Sequence, residues 1–209
     1  MDQYQTDQEQ VEKLKRWWNE NGKSLLFGLI IGGGALGGYR YWEHIRVEQA
    51  QAASYNYEQF LSLAQGGNVD DARQAGQVIV ENYEQSVYAD LTGLMLAKLA
   101  VDASDYEQAK ADLETIISRS NDPLLADLAR ARMARVLLHQ GDASAAKDLL
   151  AAIKLSDGNQ RFPELMGDAE LALGAKEEAL RFYQLAIDVS DSADANREIL
   201  QIKIDNLGL

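Results

Sequence analysis

Three windows of this chain, residues 96–116, 133–153 and 166–186, align without a gap. This restricts the fold more than any other feature. Each window starts with an apolar residue followed by a small one: Leu96-Ala97, Met133-Ala134, Met166-Gly167. A turn residue follows at Ser104, Gly141 or Gly174. An alanine comes next, at Ala109, Ala146 or Ala179, then Leu113, Leu150 or Tyr183, then Ile116, Ile153 or Ala186. The alanines are 37 and 33 residues apart. Such a unit is a helix, a turn and a second helix, and one unit alone cannot bury its apolar face. Small residues let the paired helices approach closely, and large ones fill the groove to the next unit. The units must therefore stack.

A weaker unit precedes these, with Phe60, Gly67 and Ala72 at corresponding positions. Residues 47–64 read as its first helix, ending at Gly66-Gly67. Pro123 and Pro163 mark first helical turns, where a missing N–H costs nothing. Residues 193–206 read as a final amphipathic helix, with Ile199, Ile202 and Leu207 expected to cover the open end of the stack. The spacing resembles the tetratricopeptide repeat, a helix–turn–helix of about 34 residues. Its aromatic signature is mostly missing: Gly93, Arg130 and Pro163 stand where Trp is common. The resemblance implies a helical solenoid with a groove that holds peptides or partner proteins.

Charge narrows the partners. The chain carries a net charge of −13, and residues 50–209 alone carry 14 basic and 26 acidic side chains. Nucleic acid is not an expected partner, because phosphate binding needs a basic face. An acidic surface with Tyr55, Tyr57, Tyr83, Tyr88 and Tyr106 would favour basic or amphipathic client segments. Arg130, Arg132 and Arg135 cluster on one helix, where ion pairing with nearby acids is the expected use.

The N-terminal part reads differently. Residues 1–23 form a tail, polar and unordered or frayed over its first ten residues, then amphipathic and basic with Val11, Leu14 and Trp18 among Lys13, Lys15 and Arg16. Asn21-Gly22 is expected to bend the chain. Residues 24–42 are expected to form a transmembrane helix. From Trp18 to Tyr39 a helix rises roughly 32 Å, matching a hydrocarbon core of about 30 Å. Trp17, Trp18, Tyr39, Arg40, Tyr41 and Trp42 are the expected interfacial anchors. Gly28, Gly32, Gly33, Gly34, Gly37 and Gly38 give small-xxx-small spacings and are candidate helix–helix contacts in a membrane. Basic residues gather before this stretch, so the N-terminus would be cytoplasmic and the domain of residues 43–209 periplasmic. The expected fold class is therefore all-α, a single N-terminal transmembrane helix followed by the solenoid.

Two nucleotide-motif mimics fail. Gly22-Lys23-Ser24 has Trp17 where a phosphate loop needs Gly, and no strand precedes Gly32, Gly34 and Gly37. Cysteine is absent, and the two histidines, His44 and His139, lie in no metal-binding spacing. No nucleophile–base grouping is visible. No catalytic residue, cofactor or metal is expected, and the chain does not read as an enzyme.

The order of features, QVEKLKRWWNENGKSLLFG, then GGYRYW, then the repeats and a terminal QIKIDNLGL, is similar to the YfgM family, the ancillary subunit of the bacterial SecYEG translocon. The similarity covers essentially the whole chain. It implies an inner-membrane protein that associates with SecYEG and the chaperone PpiD, beside membrane lipid, and helps pass unfolded secreted polypeptides to periplasmic chaperones. It also implies one alternative, a cytoplasmic tail acting on the regulator RcsB; the repeats themselves leave a second, a general periplasmic scaffold. It brings no catalytic residues.

Overall fold

The computed structural model describes residues 3–153, 162–190 and 196–209, and all the secondary structure there is helical. The helices are α1 (Gln3–Gln65), α2 (Val69–Asn82), α3 (Val87–Asp102), α4 (Tyr106–Arg119), α5 (Pro123–His139), α6 (Ala143–Ala151), α7 (Phe162–Ala172), α8 (Lys176–Val189) and α9 (Asn196–Asp205). Two compact units result, Met1–Gln49 and Ala50–Leu209, with α1 contributing to both.

In the first unit the expected transmembrane helix is not found. Residues 24–42 are helical within α1, yet among the described residues no helix is long and apolar enough to cross a membrane. Glycine supplies no apolar side chain, so the six glycines dilute the stretch. Lys23 and Arg40 confine the uncharged run to residues 24–39, short of the about 20 apolar residues a span needs. A Cβ added at Gly28, Gly32, Gly33, Gly34, Gly37 or Gly38 would meet nothing within 4 Å, so among the described residues no helix is packed on them. The aromatic residues expected as anchors are exposed. Tyr39 and Trp42 have ring centroids 6.3 Å apart, and the Arg46 guanidinium sits 4.8 Å from the Trp42 ring. Two further expectations fail: helix begins at Gln3, and Asn21-Gly22 makes no bend. The Asn21 side chain donates to the Trp17 carbonyl at 3.1 Å inside α1.

The second unit is the repeat stack, and its turns show the repeat at the level of single hydrogen bonds. Asn68, Asp105, Asp142 and Ala175 each donate their N–H five residues back, to the carbonyls of Leu63, Ala100, Leu137 and Glu170, at 2.8–3.2 Å. The residue before each is left-handed: Gly67 at φ 78°, Ser104 at 60°, Gly141 and Gly174 at 84°. This closure satisfies the last carbonyls of one helix while reversing the chain into the next. Asp105 and Asp142 then accept from the N–H groups of Gln108 and Ala145, both at 3.1 Å, capping the second helices. Ser86 and Asp122 cap α3 and α5 one residue nearer, accepting from the N–H groups of Tyr88 and Leu124.

Successive helices pack on each other, and the first helices of neighbouring repeats also touch, α3 on α5 and α5 on α7. The expected core positions are filled: Ala97, Ala134, Ala109, Ala146, Ala179, Leu113, Leu150, Tyr183, Ile116 and Ala186 are buried. Gly93 occupies a usual Trp position for a visible reason: a Cβ there would already lie 3.0 Å from Ile116 Cδ1.

The C-terminal segment caps the stack as expected at Leu207, but α9 itself turns a different face inward from the one expected. Leu200 and Leu207 are buried, and Ile204 packs with them, whereas Ile199 and Ile202 are exposed. Positions 200 and 204 are one helical turn apart on α9 and 199 and 202 fall off that face, while Leu207 is brought in by the turn after the helix, its N–H donating to the Ile204 carbonyl at 3.0 Å. Residues 193–195 of the expected helix lie outside the described residues. Lys203 fastens α9 to α7, its Nζ donating to Glu164 at 2.8 Å and to Asp168 at 2.7 Å. Burial by itself would lower the Lys203 pKa, but the hydrogen bonds to Asp168 and Glu164 outweigh it and raise the value. A cation held this way stabilises the fold below the ordinary lysine range, and the contribution is lost as pH rises through the raised folded value. Lys203→Met should cost about 1–3 kcal/mol, at or below the range for a fully buried pair. Chemical denaturation at pH 8 measures this cost. The variant should also lose less stability than the wild type as pH rises above the ordinary lysine value of about 10.4. Equal losses would show that Lys203 does not titrate against Asp168 and Glu164.

Candidate functional site

A groove of about 490 Å³ opens between α3, α4 and α5. Its apolar wall comes from Ala97, Val101, Leu113 and Val136. Its polar groups are Lys98, Tyr106, Arg132, Arg135 and His139, and no lining residue is acidic. Helical spacing explains the grouping. Arg132, Arg135 and His139 follow one stripe of α5, and Ala97, Lys98 and Val101 face it from α3.

The cations are held in different ways. Arg132 is half-buried and donates through Nη1 to the Leu94 carbonyl at 2.9 Å, which anchors it to α3. Burial, and then the neighbouring Arg135, push its pKa down, yet a guanidinium stays charged. Arg135 is exposed, and among the described residues no acid pairs with it. Lys98 forms an exposed ion pair with Asp102 one helical turn away. Tyr106 and His139 close one end of the groove: the hydroxyl lies 2.9 Å from Nε2 and the ring centroids are 5.0 Å apart.

Local sequence leads to the expectation that all three arginines are ion-paired. Among the described residues an ion pair forms at Arg130, with Asp127 at 2.7 Å, and at neither of the other two. Lys98 escapes that reading altogether, although a signal exists. In the aligned windows Lys98 and Arg135 occupy the same column, directly after the small residues Ala97 and Ala134. A repeat protein places equivalent columns side by side on one face.

A second, smaller cavity of about 150 Å³ lies among α2, α3 and α4 and has the opposite character. Glu81, Glu84, Asp90 and Asp112 line it, with Arg119. Asp90 is 8% exposed and accepts from the Ser120 hydroxyl at 2.6 Å. Burial raises the pKa of Asp90 and of Asp112. Buried carboxylates in a space this narrow suit packing better than docking. Among the described residues no group of His, Asp and Glu could hold a metal ion.

A capped stack of helix–turn–helix units with an apolar-walled groove edged by cations defines a tetratricopeptide-like interaction protein. The family described as "Tetratricopeptide repeat-like domain" matches residues 15–209. The "Ancillary SecYEG translocon subunit" of Escherichia coli (strain K12) is 34% identical over 209 residues, covering 100% of both chains. Its namesake in Aggregatibacter actinomycetemcomitans is 31% identical, over 96% of this chain and 97% of that one. The crystal structure of MamA protein agrees in fold, with a TM-score of 0.54 over 78% of this chain and 86% of that chain, at 16% identity. The chain belongs to the family of ancillary SecYEG translocon subunits, the YfgM family.

Proposed function

We propose that this protein is a non-enzymatic adaptor at the Sec translocon. One observation carries the reading: similarity to subunits bearing that name extends over the whole chain, across the repeat stack and its groove. Tandem helical repeats serve protein–protein contact, because stacking leaves an extended surface that no single repeat possesses. In this reading the protein stands beside SecYEG and the chaperone PpiD, with the repeat domain facing the compartment into which secreted chains emerge. Unfolded segments of those chains would then meet the groove before a chaperone takes them.

Photo-crosslinking in intact bacterial cells tests this. A photoreactive residue at Val101, exposed on the groove, should yield adducts with translocon subunits or PpiD. Adducts with neither would sink the adaptor reading.

A further inference from the structure

We infer that the groove between α3, α4 and α5 docks a short peptide segment that presents one or two carboxylates beside apolar side chains. The inference rests on the adaptor reading and deepens it by naming the chemistry of the docked segment. Read from bulk charge, the domain should prefer basic clients. The groove is lined in the opposite sense, by Lys98, Arg132 and Arg135 with no acidic residue among them. Its wall of Ala97, Val101, Leu113 and Val136 offers apolar contact along the same strip.

Two observations show that the cations are disposed toward an incoming group. Arg132 is held by the Leu94 carbonyl with no acid among the described residues paired to it, and Arg135 stands near enough to disfavour its charge. A bound carboxylate would relieve that repulsion and could be gripped through two N–H groups of a guanidinium. Arg135 carries no ion pair among the described residues, so docking breaks no existing pair there. Among the described ion pairs at the groove cations, the Lys98–Asp102 contact would have to rearrange, and exposed pairs of this kind are weak.

Charge also limits the size of the anion. The surrounding unit carries 26 acidic against 14 basic residues, so a long polyanion or a broad anionic membrane face is repelled outside the groove. A narrow peptide with few carboxylates meets the local cations within about 8 Å, where screening is incomplete. The adjoining apolar wall adds affinity that salt does not remove.

The test uses the full chain in mild detergent and fluorescence anisotropy. The probe is a labelled ten-residue peptide of Leu and Phe with two Asp. Its controls replace Asp by Asn or by Lys. The acidic probe should bind at least about tenfold more tightly than either control. Arg135→Glu should weaken the acidic probe about tenfold or more and improve the Lys probe, and Lys98→Glu should act in the same direction. Both side chains are exposed, so thermal melts of the variants should match the wild type. Equal binding of the Asp and Asn probes, or no change in Arg135→Glu, overturns the inference. So does binding to phosphatidylglycerol vesicles that Arg135→Glu abolishes while peptide binding is absent, which would assign the groove to lipid. Failed peptide binding with intact translocon crosslinks removes this inference alone. Peptide binding without those crosslinks removes the adaptor reading and leaves the groove.

Discussion

Gly167→Ala should lower the stability of the repeat unit by about 2 kcal/mol, although alanine is the better helix former by about 1 kcal/mol. The added Cβ would lie 2.5 Å from Cε1 and 2.6 Å from Cδ1 of Tyr183, well inside van der Waals contact. Tyr183 is fully buried and cannot swing aside freely. Its hydroxyl donates to Asp168 Oδ1 at 2.8 Å, and Asp168 is itself held by Lys203. Moving the ring would strain the contacts of α8 with α7 and of α7 with α9 together. A differential scanning measurement should show the melting temperature falling by about 4–8 °C. The pair Gly167→Ala with Tyr183→Leu should cost less than the two single changes summed, because the second removes the clashing ring. An unchanged melting temperature for Gly167→Ala would mean that the ring has another place to go.

Phe60→Ala should cost more, about 3–5 kcal/mol, the usual range for emptying a buried aromatic site. Phe60 is fully buried against Ala72, Ile79 and Leu96, with the Tyr57 ring 6.1 Å away. These residues join the end of α1, α2 and α3, so the loss falls on the first repeat. In a stack where each unit leans only on its neighbours, an end unit can open without the rest. Hydrogen exchange should therefore quicken over α2 and the Ala50–Gln65 part of α1 more than over α5 to α8. Uniform quickening along the whole unit would refute that nearest-neighbour picture.

The repeats are legible in the order of residues because they are written in spacing. A small residue where two helices touch, a turn residue and a returning alanine are local requirements, and they hold wherever the unit sits. So Ser104, Gly141 and Gly174 are recognisable as turns, and Ala109, Ala146 and Ala179 as core. The phase of α9 is not legible in the same way, since Ile199 and Ile202 are as apolar as Leu200 and Ile204. Only the place where α8 offers Ala179, Tyr183 and Ala186 decides which face is covered.

The same division holds for the two functional readings. Residues 24–42 resemble a membrane span in their aromatic borders and lack of charge, but the apolar content between Lys23 and Arg40 is insufficient once glycine contributes no side chain. The groove is hidden by an average. Net charge sums over every face, whereas binding depends on which side chains share one cleft. By itself the sequence determined that helical units repeat, where each turns and which residues fill the cores of the aligned units, because those demands lie within one unit of chain. Tertiary structure decided that Lys98, Arg132 and Arg135 line one groove with no acidic residue in its lining, because they come from two helices brought together only when the units stack.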